Sequence, residues 1–534
     1  MTETTSMKNF TKIRPRFCLL LLLFHAFLWD LSAMESSGTD PAIQFILSFH
    51  DPRSQSYHVE MRIEETDMDT LLLSMPVWMP GYYQIMEYAR GVSGMNATDG
   101  AGIAVDCTPL TSHSWQVIHP GNSPLVIQYD ITTGRKFVAN SYVDSAMAYI
   151  LPENTFLYPD GMLDLPVSVV IEKGNDWEDI ATGLEQATGV SEGFFAPNYD
   201  ILFDCPILIG DLDELPPFEV NGVEHRFIGY QLGNFDVPYF LDALKRIIET
   251  AVGMFGDIPY DRYTFIGIGP GLGGIEHLNN TTISFNGNTL TDRDSYNRVL
   301  AFIAHEYFHH YNVKRIRPYE LGPFDYSREN RTNQLWVSEG LTVYYEYLLL
   351  RRAGLIDETE LLNFLAGDIT AFENDQGRKF QSLQQASYCT WEDGPFGAEG
   401  GEGDRSISYY QKGAIVGLIL DFRIRNVTGN RQSLDDVMRL LYQEYYLELQ
   451  RGFTEAEFQQ ACEQVAGTSL VDIFEYVYTT KELDYQKYLA MAGLALRKNE
   501  QDPGAKHPGP TFAIIKVPEQ DELQSSILAT WQQD

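Results

Sequence analysis

A chain of 534 residues is longer than one hydrophobic core organises, so several domains are expected. Its hydrophobic fraction of 44% and aromatic fraction of 13% exclude an intrinsically disordered protein. Acidic residues outnumber basic ones by 74 to 38. The net charge of -36 argues against nucleic acid or an anionic membrane surface as a partner, since both call for a cationic face.

At the N-terminus, Lys8, Lys12, Arg14 and Arg16 precede the apolar run 17–29, and Leu31-Ser32-Ala33 supplies a small residue for cleavage. This is the build of a secretory signal peptide, and the run is short of the about 20 apolar residues a membrane span needs. Residues 1–33 are therefore read as a signal peptide. The mature protein is expected to be exported, periplasmic or secreted, without stable membrane insertion. Cys107, Cys205, Cys389 and Cys462 remain, none at CxxC spacing, and the sequence leaves open whether they pair or stay buried thiols.

Residues 34–217 carry short β-rich runs, such as 43–47, 57–63 and 124–129, broken by turn residues. Their alternation predicts an N-terminal antiparallel β-sandwich, and Leu215-Pro216-Pro217 reads as a linker. In the next segment, 218–494, apolar residues recur at helical spacing over 237–255 and a strand-like run follows at 263–268. Helical patterns then dominate. Residues 495–534, with the apolar run 512–517, read as a separate small element. The fold class is α+β, in several domains.

The chemistry-bearing pattern lies in the predicted helix 295–314, where Val299, Ile303 and Tyr307 share a face and Pro318 closes the segment. It contains His305-Glu306-Tyr307-Phe308-His309. Residues i and i+4 of a helix differ by about 40° of rotation, so His305 and His309 project toward one point and can chelate one zinc ion without straining the backbone. Glu306, rotated off that axis, stands where a general base toward water belongs. His310 points away. A catalytic zinc takes a third protein ligand. Glu339 lies thirty positions past His309, near the start of a helix that Ser338 is expected to cap, and is the candidate.

Two further segments bear on a peptide substrate. In Gly273-Gly274-Ile275-Glu276-His277, the glycines Gly273 and Gly274 let backbone pass close to a ligand. An edge strand there could pair with a peptide, and Glu276 could receive a cationic α-amine. In Tyr409-Tyr410-Gln411-Lys412-Gly413, a phenol could donate to an oxyanion forming on the attacked carbonyl. Taken singly, these are as readily loop glycines and core tyrosines.

Longer runs carry a resemblance. His305-Glu306-Tyr307-Phe308-His309 with Asn312-Val313-Lys314-Arg315-Ile316-Arg317-Pro318, then Gly322-Pro323-Phe324-Asp325-Tyr326 and Leu335-Trp336-Val337-Ser338-Glu339-Gly340, resemble the glycyl aminopeptidase family of gluzincin zinc metallopeptidases. Trp78-Met79-Pro80-Gly81-Tyr82-Tyr83 and Asp204-Cys205-Pro206 are similar to signatures of its N-terminal domain, and the two segments of the preceding paragraph correspond as well. The resemblance spans about residues 40–495. It implies a thermolysin-like catalytic domain with a helical subdomain behind the sandwich. It also implies a C-terminal PDZ domain, of which 495–534 would be an incomplete beginning. It further implies zinc-dependent removal of small N-terminal residues, glycine or alanine, from peptides with a free N-terminus. Carried over by motif, Glu276 binds the substrate amine and Tyr410 stabilises the transition state, with Tyr409 as the alternative. Two other readings stay open: a zinc endopeptidase or broad-specificity peptidase, and a non-catalytic peptide-binding scaffold.

Overall fold

The protein is described here by a computed structural model over residues 42–533, apart from 65–67, 120, 122, 175–176, 398–404 and 500–508. The signal segment inferred for residues 1–33 lies outside the described residues. Strand dominates up to residue 210, as the alternation of side chains dictates. In Ile43–Ser48 and Ser56–Ile63 every second residue is apolar, so Ile43, Phe45, Leu47, Val59 and Met61 turn to one face and are buried. The two strands pair antiparallel, with Ile43 opposite Ile63, inside a seven-stranded sheet. Two four-stranded sheets complete this β-rich region.

One pairing corrects the expectation of a purely antiparallel sandwich. Ile43–Ser48 runs parallel to Val167–Glu172, with Ile43 opposite Val167. Parallel neighbours need a long crossover, and the intervening chain, which builds strands of the other sheets, supplies it. Alternation reports which face is buried, not the direction of the neighbouring strand.

The Leu215-Pro216-Pro217 segment runs along the edge of the next sheet. Asp213–Glu214 and Phe218–Val220 both pair with Val223–Gly229, and the prolines, lacking an N–H, interrupt the ladder between them. Val223–Gly229, Arg262–Gly267 and Asn280–Ile283 are parallel neighbours, and Gly274–Glu276 closes the sheet as an antiparallel edge strand. The helix Val237–Phe255 forms the first crossover, capped by Asp236 and stopped by the left-handed Gly256.

Helices follow, and the C-terminal segment packs into them. Leu494–Asn499 and Thr511–Lys516 form a hairpin, and the helix Glu522–Trp531 starts from a capping box of Asp521 and Gln524. Trp531 is fully buried, its ring lies 5.0 Å from that of Phe422, and its Nε1 donates to the Tyr344 hydroxyl at 2.8 Å. The separate element expected at 495–534 is thus joined to the helical core, because its apolar side chains find no second core of their own.

Cys107, Cys205, Cys389 and Cys462 are all free thiols, with Cys205 and Cys462 buried. Among the described residues no helix is long and apolar enough to cross a membrane.

Candidate active site

The helix Arg293–Phe308 begins at a capping box between Asp292 and Ser295 and ends with His309 as its C-cap. Leu300, Ile303, Ala304 and Tyr307 anchor it in the core, which turns His305, Glu306 and His309 toward the sheet edge. His310 faces elsewhere, buried among the rings of Tyr260, Tyr263, Tyr307 and Tyr311. Burial holds its pKa well below the usual histidine value, so it stays neutral there.

The chain reverses after His309, and Asn312 ties that reversal to the segment carrying Glu339. Its Nδ2 donates to the carbonyls of Val337 and Ser338 at 2.8 and 3.1 Å and to Thr342 Oγ1 at 3.0 Å. Ser338 does not cap a helix as expected. Trp336–Gly340 forms a wide π-helical turn leading straight into Leu341–Arg352, a distortion frequent at functional sites. Gly340 packs on Gly413 so closely that a Cβ on Gly340 would come within 2.5 Å of the Gly413 Cα. That contact sets the helix Tyr409–Val427 against the Glu339 turn and brings Tyr410 to the site.

The structure draws His305, His309 and Glu339 into one buried cluster, with one ligand atom from each inside a mutual 4.8 Å. The two Nε2 atoms lie 2.9 Å apart, and Glu339 Oε2 is 3.4 Å from that of His305 and 3.1 Å from that of His309. Both Nδ1 atoms are occupied, His305 against Glu346 Oε2 at 2.8 Å and His309 against the Asn312 carbonyl at 2.8 Å. A carbonyl can only accept, so His309 carries its proton on Nδ1 and leaves the Nε2 lone pair toward the cluster. Glu339 Oε2 makes no well-formed hydrogen bond although it is buried. Two imidazole nitrogens and an orphaned carboxylate oxygen aimed at one point form a donor set that fits a divalent metal.

The electrostatics agree. Burial works against charge on His305, but its close contacts with Glu339 and Glu346 prevail and hold its pKa well above the usual value. Glu339 shows the converse: burial pushes its carboxyl up, and the neighbouring His309 and His305 outweigh that and bring it down.

Glu306 lies beside the cluster and is 5% exposed. Burial first, then the charges of Glu276 and Glu339, push its carboxyl up to about 8. The edge strand passes close above it. A Cβ on Gly274 would come within 2.5 Å of the Glu306 carboxyl carbon, so glycine is required there by close approach. Gly273 has φ +89. Glu276, 4% exposed, ends the strand.

Of the two candidate tyrosines, Tyr409 spends its hydroxyl on Thr390 Oγ1 at 3.1 Å. Tyr410 lies nearly parallel to the His305 ring, 6.0 Å between centroids, and among the described residues nothing holds its hydroxyl.

Two residues of the site were given no role by the sequence reading: Asn312, named only within a longer run, and Glu346. Glu346 stands two helical turns beyond Glu339, a spacing that would have placed both carboxylates on one face. As the acceptor for His305 Nδ1, Glu346 orients a candidate ligand. Glu346→Gln is expected to weaken metal retention about 10–100-fold, read by competition with a chelator, with the fold intact.

The model of the Peptidase M61 N-terminal domain matches residues 44–211, and that of the M61 glycyl aminopeptidase matches residues 298–416. The crystal structure of an aminopeptidase N family protein from Idiomarina loihiensis is similar with a TM-score of 0.80 at 27% identity, over 85% of this chain and 79% of that one. An M1 zinc metallopeptidase from Deinococcus radiodurans, a mutant bound to a Tyr-Ser-Ala substrate, reaches a TM-score of 0.53 at 13% identity. That match covers 83% of this chain and 94% of that one, and it bears on the fold alone. No protein of curated function matches the chain.

Proposed function

Because this chain belongs to the M61 glycyl aminopeptidase family, we propose that it is a zinc-dependent aminopeptidase that removes small N-terminal residues, glycine or alanine, from peptides. The observation that carries the reading is a further buried carboxylate, Glu276, at the end of the edge strand and in the electrostatic field of both Glu306 and His309. An aminopeptidase gives that carboxylate a partner, the substrate's cationic α-amine.

In this reading His305, His309 and Glu339 hold the zinc ion. The ion, when bound, supplies Lewis acidity toward the substrate carbonyl and the attacking water. Glu306 takes the proton from that water and returns it to the nitrogen of the departing peptide. The Tyr410 hydroxyl donates to the carbonyl oxygen as negative charge gathers there. Glu276 holds the α-ammonium, so cleavage falls after a single residue. The free edge of Gly274–Glu276 offers backbone groups to the extended peptide. Resemblance alone supports a PDZ-like beginning in 495–534, and the reading takes no residue from it. The basic and apolar N-terminal run supports export.

The test uses zinc-loaded protein and one Gly-Ala-rich peptide, free and N-acetylated, with products followed by mass spectrometry. Release of glycine from the free peptide alone is the expected result. Internal cleavage of both forms would replace the aminopeptidase by an endopeptidase. Cleavage of neither would favour a peptide-binding scaffold.

A further inference from the structure

The loop after the buried Trp78 brings the β-rich region directly onto the candidate site. Gly81 has φ +91, and a Cβ there would come within 2.8 Å of Glu276 Oε2, so the main chain at Gly81 lies on that carboxylate. Two residues on, the Tyr83 ring packs against a pair of touching tryptophans, 6.2 Å from Trp78 and 6.2 Å from Trp391, which are themselves 5.2 Å apart. Trp78 is in turn held by its Nε1, which donates to the Asp325 carbonyl at 2.9 Å, and the Gln84 side chain donates to the Thr390 carbonyl at 2.6 Å. The position of Tyr83 is therefore set by contacts with the segments that carry Asp325 and Thr390.

Tyr83 is 6% exposed, and its hydroxyl has no hydrogen bond among the described residues. Burial and then the charges of Glu276 and Glu339 raise its pKa well above the usual phenol value. The phenol stays neutral and keeps its lone pairs.

An α-ammonium has three N–H donors, and each that is taken out of water must find an acceptor. Glu276 meets part of that need from one side. We propose that the Tyr83 hydroxyl is a further acceptor for the substrate's α-ammonium, contributed by the N-terminal β-rich region to a site otherwise built from residues 274–410. The assignment rests on the aminopeptidase reading and deepens it. It also gives the Gly81 turn a purpose, since any side chain at that position would push against the carboxylate that shares the amine.

Tyr83→Phe tests this by removing one oxygen and leaving the ring packed against the two tryptophans. In zinc-loaded full-length protein, kcat/KM for a glycyl peptide is expected to fall about 10- to 100-fold, chiefly through KM. Zinc content and the thermal midpoint should match the parent. A second readout separates amine recognition from metal binding: inhibition by glycine hydroxamate compared with acetohydroxamate, which lacks the amine. The parent should favour the amino compound, and Tyr83→Phe should narrow that preference about tenfold. A preference left intact by the substitution would overturn the role of Tyr83 alone. No preference in the parent would sink the amine site, and with it both this assignment and the aminopeptidase reading.

Discussion

Glu306→Gln is expected to lower kcat by about 10²- to 10⁴-fold while zinc stays bound. The amide has the shape of the carboxylate and fits under Gly274, where a Cβ would approach the Glu306 carboxyl carbon to 2.5 Å. It makes no demand on His305, His309 or Glu339. What disappears is the only function assigned to the side chain, taking and returning a proton. Single-turnover rates on a glycyl peptide, with zinc measured in the same samples, check this. A variant retaining more than about a tenth of the parent rate would remove Glu306 from the mechanism.

The same substitution should act on stability in the opposite direction. In the metal-free protein burial raises the Glu306 carboxyl to about 8. A carboxyl whose folded pKa lies above its unfolded value costs stability as pH rises from about 4.5 to about 8, because the unfolded chain ionises first. Metal-free Glu306→Gln should therefore melt higher than the parent at pH 8, by on the order of a few kcal/mol, and alike below pH 4. Thermal melts across that range read the difference. Loss of rate with gain of stability is the signature of a group buried for its chemistry.

Glu339→Gln is expected to cost more metal than Glu346→Gln, beyond the about 10–100-fold assigned to an orienting partner. The amide keeps one weak donor oxygen but loses the charge that balances a divalent ion against two imidazoles in a buried site. Turnover should fall with the metal and return only in large excess of zinc. In the metal-free parent, His305 and His309 have raised pKa values through their contacts with Glu339 and Glu346. Metal entry must displace their protons, so retention should weaken as pH falls. Zinc remaining after dialysis against a graded chelator, at several pH values, measures both effects. Full occupancy and turnover in Glu339→Gln would show that the third ligand is another group.

Much of the fold was legible because its causes are local. The alternation in 43–47 and 57–63 announced half-buried strands, and the spacing in 237–255 a helix, since each pattern follows from the period of its own backbone. Parallel pairing of Ile43–Ser48 with Val167–Glu172 was not legible, because direction depends on where the chain returns and no residue within a strand encodes that. The docking of the hairpin strands Leu494–Asn499 and Thr511–Lys516 and of the helix Glu522–Trp531 was hidden for a similar reason. Trp531 finds Phe422 and Tyr344 only after the helices have assembled.

The site divides along the same line. The sequence was enough to show that His305 and His309 share a helical face with Glu306 beside it, because a separation of four residues along one helix leaves no other geometry. It also placed Glu339, Glu276 and Tyr410 as candidates, through their motifs. Only the tertiary structure decided how these meet: Asn312 joining two ligand-bearing segments, Gly340 against Gly413 bringing in Tyr410, Gly274 over Glu306, and Glu346 behind His305. It alone set Gly81 against Glu276, with Tyr83 beside them. Contacts between residues far apart in the chain are fixed by packing the whole core, and neither periodicity nor spacing carries that information.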